Sequence, residues 1–133
     1  VAHLGNYADR IEEGDRVILK TGWSSREGSD EYRDELPRIG IELARWFVQR
    51  GVVFVGVEPP SVADVHDLAE VTEVHRTLLG AEIVIVEGLC NLDALSSDRV
   101  YLVALPLKID AGDGAPCRVI ALDELPSVDA DAS

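Results

Sequence analysis

The sequence predicts a single α/β domain over residues 1–133, and three observations carry that expectation. Short runs of β-branched and aliphatic residues alternate with segments whose apolar residues recur at helical spacing. Glycine or proline marks most changes between the two periodicities. Hydrophobic residues make up 47% of a 133-residue chain, enough for one core at the roughly 100–150 residues typical of a domain.

In chain order, the first thirteen residues form a polar lead-in with scattered apolar positions, turning at Gly14-Asp15. Arg16-Val-Ile-Leu-Lys20 is rich in β-branched and aliphatic residues and predicts a buried strand. From Gly22 to Asp34 the chain is charged and carries Gly28, Ser24, Ser25 and Ser29. It predicts a long loop of the kind that often serves function. Leu36, Ile39, Leu43, Trp46 and Phe47 then predict a helix over Leu36–Arg50, with Pro37 tolerated in its first turn and Gly51 as a left-handed cap. Val52–Val57 reads as a second strand, so the run strand, helix, strand predicts a parallel pair with a crossover. Pro59-Pro60 forces a turn. Asp64–Leu79 predicts a helix that is amphipathic in its second half through Val71, Val74, Leu78 and Leu79, ended by Gly80. Ile83–Val86, Val100–Leu107 and Arg118–Leu122 complete the strands, with a short helical turn at Leu92–Leu95. The turn formers of Asp110–Pro116 predict a hairpin between the last two strands. Residues 123–133 form an acidic tail expected to fray.

Charge narrows the function classes. Twelve Lys and Arg stand against 25 Asp and Glu, a formal net charge of −13. Nucleic acid and anionic membrane surfaces require clustered bases to neutralise phosphate, so neither is an expected partner. No apolar run approaches the ~18 residues of a membrane span, and the N-terminus lacks a charged-then-apolar leader. A cytoplasmic protein is the expectation. Cys90 and Cys117 form no C-x-x-C, and both are expected to be buried or half-buried thiols rather than a disulfide framework. A chain that begins at Val1 and holds no methionine suggests a processed or truncated product.

Three histidines remain to be weighed for chemistry. His75 lies near the end of the predicted helix at 64–79, and Glu87 lies just past the strand Ile83–Val86. Residues at the carboxyl ends of strands in an α/β sheet face the crevice where ligands bind. An imidazole and a carboxylate there suit a borderline divalent cation such as Zn²⁺ or Mn²⁺. The alternative is a surface histidine and a solvated glutamate. His66 reads as an exposed residue in a polar segment, and His3 sits at a terminus. Ser61 has no G-x-S-x-G setting, and neither a G-x-G-x-x-G nor a Walker motif supports a nucleotide site.

Several segments together resemble the cyclase family of metal-dependent hydrolases, which includes bacterial kynurenine formamidases and isatin hydrolases. They are Gly14–Trp23, Gly51–Val62, Val74–Leu79, Ile83–Leu92, Ala104–Lys108 and Gly112–Leu122, in the family's order. The resemblance implies a swivelling β/β/α fold with a mixed sheet. It implies a divalent metal, Zn or Mn, with His75 and Glu87 as two of its ligands. It further implies a homo-oligomer, dimer or higher, acting on a small-molecule acyl or amide substrate, and hydrolysis of an amide, formamide or lactam-like C–N bond by metal-activated water, as in an arylformamidase.

The chain also departs from the family. Its main metal motif, H-x-G-T-H-x-D-x-P-x-H, lies well upstream of the G-D-x-V-L strand, and here almost no sequence precedes that strand. His3-Leu-Gly5-Asn6-Tyr7-Ala-Asp9 echoes half of it, but Tyr7 stands at the second histidine, and the segment reads as lead-in. Glu58-Pro59 replaces the family's usual Asp-Thr. The chain is therefore expected to be the C-terminal portion of such a hydrolase, truncated at its N-terminus. A non-catalytic binding or oligomerisation module on the same sheet is the alternative.

Overall fold

The computed structural model describes residues 1–124, so the expected acidic tail lies outside the described residues from 125 on. The α/β class holds, with one parallel and one antiparallel sheet. The chain divides into two compact units, residues 1–92 and 93–133.

In the first unit three parallel strands, β1 (Arg16–Leu19), β2 (Phe54–Val57) and β3 (Val84–Val86), stand in the order β1-β2-β3. Val55 pairs with Val17 on one side and Ile85 on the other. All four residues of β2 are buried. A central parallel strand is covered on both faces, which is why its sequence is a continuous apolar run instead of an alternation.

Two helices pack on this sheet and on each other, α2 (Ile41–Arg50) and α3 (Leu68–Leu79). Ala44 and Phe47 of α2 and Val74 and Leu78 of α3 join Val55, Val57, Val62 and Ile83 in one core. Helix α2 begins at Ile41, not at Leu36 as its apolar spacing predicts. Pro37 disfavours helical backbone at Leu36, and the Ile39 amide is drawn off to the Val62 carbonyl at 2.7 Å. The far end matches expectation: Gly51 takes φ 71° and donates its N–H to the Phe47 and Val48 carbonyls. A Cβ there would be strained by the positive φ and would sit 2.8 Å from Glu13 Cγ, so any other residue would have to displace the Glu13 side chain.

Helix α3 starts at Leu68 because Asp67 caps it, accepting from the Ala69 and Glu70 amides at 3.0 and 3.1 Å. Asp67→Ala should cost ~1 kcal/mol of stability, with Asn a near-equivalent cap. In a thermal melt the alanine variant should fall by about 3–5 °C.

The stretch Gly22–Asp34, expected as loop, is partly helical. A 3₁₀ turn spans Trp23–Arg26 and a short helix, α1, spans Asp30–Asp34. Ser29 precedes α1, and Asp30 and Glu31 occupy its first turn, where carboxylates complement the helix dipole. The lead-in is likewise 3₁₀ over Ala2–Arg10, broken at Gly5.

The second unit is built on an antiparallel hairpin, β4 (Tyr101–Pro106) and β5 (Cys117–Leu122), in the register Tyr101↔Leu122 to Pro106↔Cys117. The Asp110–Pro116 connection falls where its turn formers place it. Asp123 accepts from the Ser96 amide and hydroxyl and from the Ser97 amide. Those bonds, the Ser96 backbone first, hold its carboxyl below the usual range. Tyr101, Val103, Leu105, Ile120 and Leu122 are exposed and share one face of the hairpin. Among the described residues no helix is long and apolar enough to cross a membrane.

Candidate metal site at the carboxyl edge of the parallel sheet

Parallel pairing brings the three strand ends to one edge of the sheet, so Lys20-Thr21, Glu58 and Glu87 follow β1, β2 and β3 at that edge. Helix α3 packs against β3 and carries His75. The His75 Nδ1 lies 2.8 Å from the Val71 carbonyl oxygen one turn earlier. A carbonyl only accepts, so Nδ1 carries the proton and donates it. That leaves Nε2 facing Glu87 Oε1 at 3.5 Å. The same Glu87 oxygen accepts the Val62 N–H at 2.9 Å. With Nδ1 committed to the Val71 carbonyl, Nε2 and the Glu87 carboxylate are the two groups left to share a proton or a metal cation at this edge.

These residues fit two ligands of a borderline metal. A metal-bound histidine commonly donates its other N–H to a carbonyl, which fixes the tautomer and the ring. Both side chains keep about 30% of their surface exposed, 30% for His75 and 31% for Glu87, so the pair is open to solvent. Among the described residues no group of three or more His, Cys, Asp and Glu side chains converges in a way that could hold a metal ion.

The other singled-out residues lie elsewhere. His66 is exposed, with Nε2 3.0 Å from Asp34 Oδ1. His3 is exposed in the N-terminal 3₁₀ segment. Ser61 is buried, and its hydroxyl accepts the Ala63 N–H, a turn contact rather than a nucleophile's setting. Both thiols are free; Cys117 is half-buried as expected, whereas Cys90 is exposed. Cys90 follows the buried Leu89 in the stretch beyond β3, where the chain has left the sheet.

Sequence reasoning missed the role of Glu58. Its residue is 1% exposed, and the carboxylate is filled with donors. Oε2 accepts the Thr21 N–H at 2.6 Å, the Thr21 hydroxyl at 2.8 Å and the Trp23 N–H at 3.3 Å, and Oε1 accepts the Ser24 hydroxyl at 2.9 Å. Burial pushes this carboxyl's pKa up, but the bonds from Thr21, Ser24 and Gly22 outweigh it and hold the group below its usual value. The Tyr32 hydroxyl donates to the Glu58 carbonyl at 2.7 Å, and the Trp23 indole N–H donates to the Tyr32 carbonyl at 2.9 Å. Burial and nearby carboxylates raise the Tyr32 pKa, which keeps the phenol a donor. The signal in the sequence was a glutamate directly after a buried strand and before two prolines.

Against known proteins, the family model described as "Putative cyclase" matches residues 1–64. The kynurenine formamidase of Erythrobacter litoralis is 39% identical over 116 residues, which cover 87% of this chain and 51% of that protein. A solved structure named as a potential metal-dependent hydrolase with cyclase activity superposes with a TM-score of 0.73 at 32% identity, covering 95% of this chain and 57% of the other. Isatin hydrolase A from Labrenzia aggregata gives 0.75 at 31%, over 90% of this chain and 50% of the other. The chain thus spans about half the length of these relatives.

Proposed function

From a chain that belongs to the cyclase family and spans about half of its relatives, we propose a metal-dependent hydrolase of the arylformamidase type. Its substrate would be a small amide, formamide or lactam-like acyl compound, cleaved at the C–N bond. His75 and Glu87 supply two ligands to a divalent metal, Zn or Mn. One observation carries the reading: His75 Nε2 and Glu87 Oε1 face each other at 3.5 Å, each oriented by a backbone group on its other side.

Such a metal, when bound, lowers the pKa of a water from about 16 toward about 7 and polarises the carbonyl under attack. The chain's own part is orientation. The Val71 carbonyl fixes the His75 tautomer, and the Val62 amide holds one Glu87 oxygen in place. The reading includes a homo-oligomer in the cytoplasm, to which the apolar row exposed on the β4–β5 hairpin lends support.

Metal analysis and substrate turnover test it together. The purified chain should carry zinc or manganese above background. His75→Ala and Glu87→Ala should each weaken metal binding by more than the ~10–100-fold that loss of an outer partner costs. Hydrolysis of N-formylkynurenine that disappears in Glu87→Ala would exclude the non-catalytic module. A metal-free chain in which His75→Ala changes neither binding nor stability would overturn the metal site.

A further inference from the structure

We propose that Glu58 is a positioning residue for Glu87: its donor-saturated carboxylate fixes the Glu58–Val62 turn, and the Val62 N–H of that turn aims the Glu87 side chain. The inference rests on Glu87 being a ligand, the reading given above.

Hydrogen bonds hold this turn at three points. At its start, the Glu58 side chain is gripped by Thr21, Trp23 and Ser24, and its carbonyl by the Tyr32 hydroxyl. In the middle, the Pro59 carbonyl accepts the Gly88 N–H at 2.9 Å, tying the turn to the residue after Glu87. Pro59 and Pro60 have φ set by their rings, so little freedom remains between the two ends. At its close, the Val62 peptide is held on both sides. Its N–H goes to Glu87 Oε1 at 2.9 Å, and its carbonyl accepts the Ile39 N–H at 2.7 Å.

Glu58 itself is unsuited to acid/base work. Both oxygens are occupied, and the residue is almost wholly buried. Its chemistry is that of an anchor: a carboxylate accepting several N–H and O–H bonds makes strong, charge-assisted contacts with fixed directions. Tyr32 adds a second link to the same segment through the bond from its hydroxyl to the Glu58 carbonyl at 2.7 Å. Outer partners of this kind commonly govern how well a ligand is presented to its metal.

Residue-resolved amide hydrogen exchange separates positioning from general support of the fold. In Glu58→Ala the Val62 amide should exchange about tenfold faster relative to the core amides of Val55 and Phe47. Glu58→Gln keeps an acceptor oxygen where Thr21 and Trp23 donate, and the Ser24 hydroxyl can turn to accept from its amide. It should restore Val62 protection. Val62 and the core accelerating together would make Glu58 a general stability residue and overturn the proposal, as would failure of glutamine to rescue. Should Glu58→Ala not fold, the double variant Thr21→Val/Ser24→Ala removes two hydroxyl donors and must show the same local pattern in smaller degree; a uniform change there overturns the proposal equally. Zn²⁺ titration of the wild-type chain stands apart: absence of binding sinks the proposed function, while the exchange pattern still decides Glu58.

Discussion

Phe47→Ala is expected to cost about 3–5 kcal/mol, the largest loss of any single core truncation in this chain. Phe47 is fully buried at the centre of the core that α2 and α3 build on the sheet. Its ring meets Trp46 edge-on, with centroids 5.6 Å apart and planes at 62°, an arrangement that adds to simple area burial. Its carbonyl also accepts the Gly51 and Val52 amides, so movement of this residue disturbs the cap of α2 and the entry to β2. A domain of this size is stable by only ~5–15 kcal/mol, so the loss is a large fraction of the whole. Denaturant unfolding with the slope compared between variants measures it. Val48→Ala on the exposed side of the same helix is the control and should change stability by less than ~0.5 kcal/mol. A Phe47 variant within ~1 kcal/mol of wild type would show that the core closes over the gap, contrary to expectation.

The fold was legible where local chemistry decides it. Apolar, β-branched runs marked all three parallel strands, though only β2 is buried throughout. β1, expected as a buried strand, and β3 stand at the sheet edges and are half-buried. Turn formers marked the hairpin loop, because tight turns leave a residue signature. Gly51 was legible for the same reason: only glycine readily takes φ 71° at a helix end. The start of α2 was not, because periodicity cannot show that the Ile39 amide is taken by a carbonyl on a distant turn. Local spacing overestimated the loop at Gly22–Asp34 as well, since the five-residue α1 has no buried residue and so leaves no apolar stripe, while its first turn carries Asp30 and Glu31.

The site divides along the same line. His75 and Glu87 were singled out by position at a strand end and by family resemblance, and the structure brings them to 3.5 Å. Their spacing alone could not have shown it, because the approach depends on how α3 packs beside β3. Glu58 stayed hidden for a more general reason. Its partners Thr21, Trp23 and Ser24 lie 34 to 37 residues away in the chain. A lone glutamate in sequence reads as solvated, and only the fold reveals that it is buried and satisfied.

That buried carboxylate makes stability depend on pH in a calculable direction. The folded Glu58 carboxyl has its pKa lowered below the usual glutamate value, net of a burial effect that acts the other way. The unfolded chain, titrating near ~4.3, therefore binds more protons than the folded chain in the window just below that value. Stability rises with pH through this window. The Glu58 contribution is fully present above the unfolded pKa and is lost as pH falls through the folded one. With 25 acidic residues in the chain, acid unfolding by itself does not isolate it. The difference between wild type and Glu58→Gln does, since glutamine retains the main acceptor but cannot titrate. That difference should be about 1–3 kcal/mol near neutrality, the worth of hydrogen bonds to a charged group. It should shrink toward acid below about pH 4.5. Glu58→Ala should lose more, ~3 kcal/mol or above, because it leaves the Thr21 and Trp23 amides without their acceptor. Urea unfolding of the three proteins between neutral pH and pH 3 measures all of this. A wild-type to glutamine gap that stays constant across that range would mean that Glu58 holds its donors without its charge.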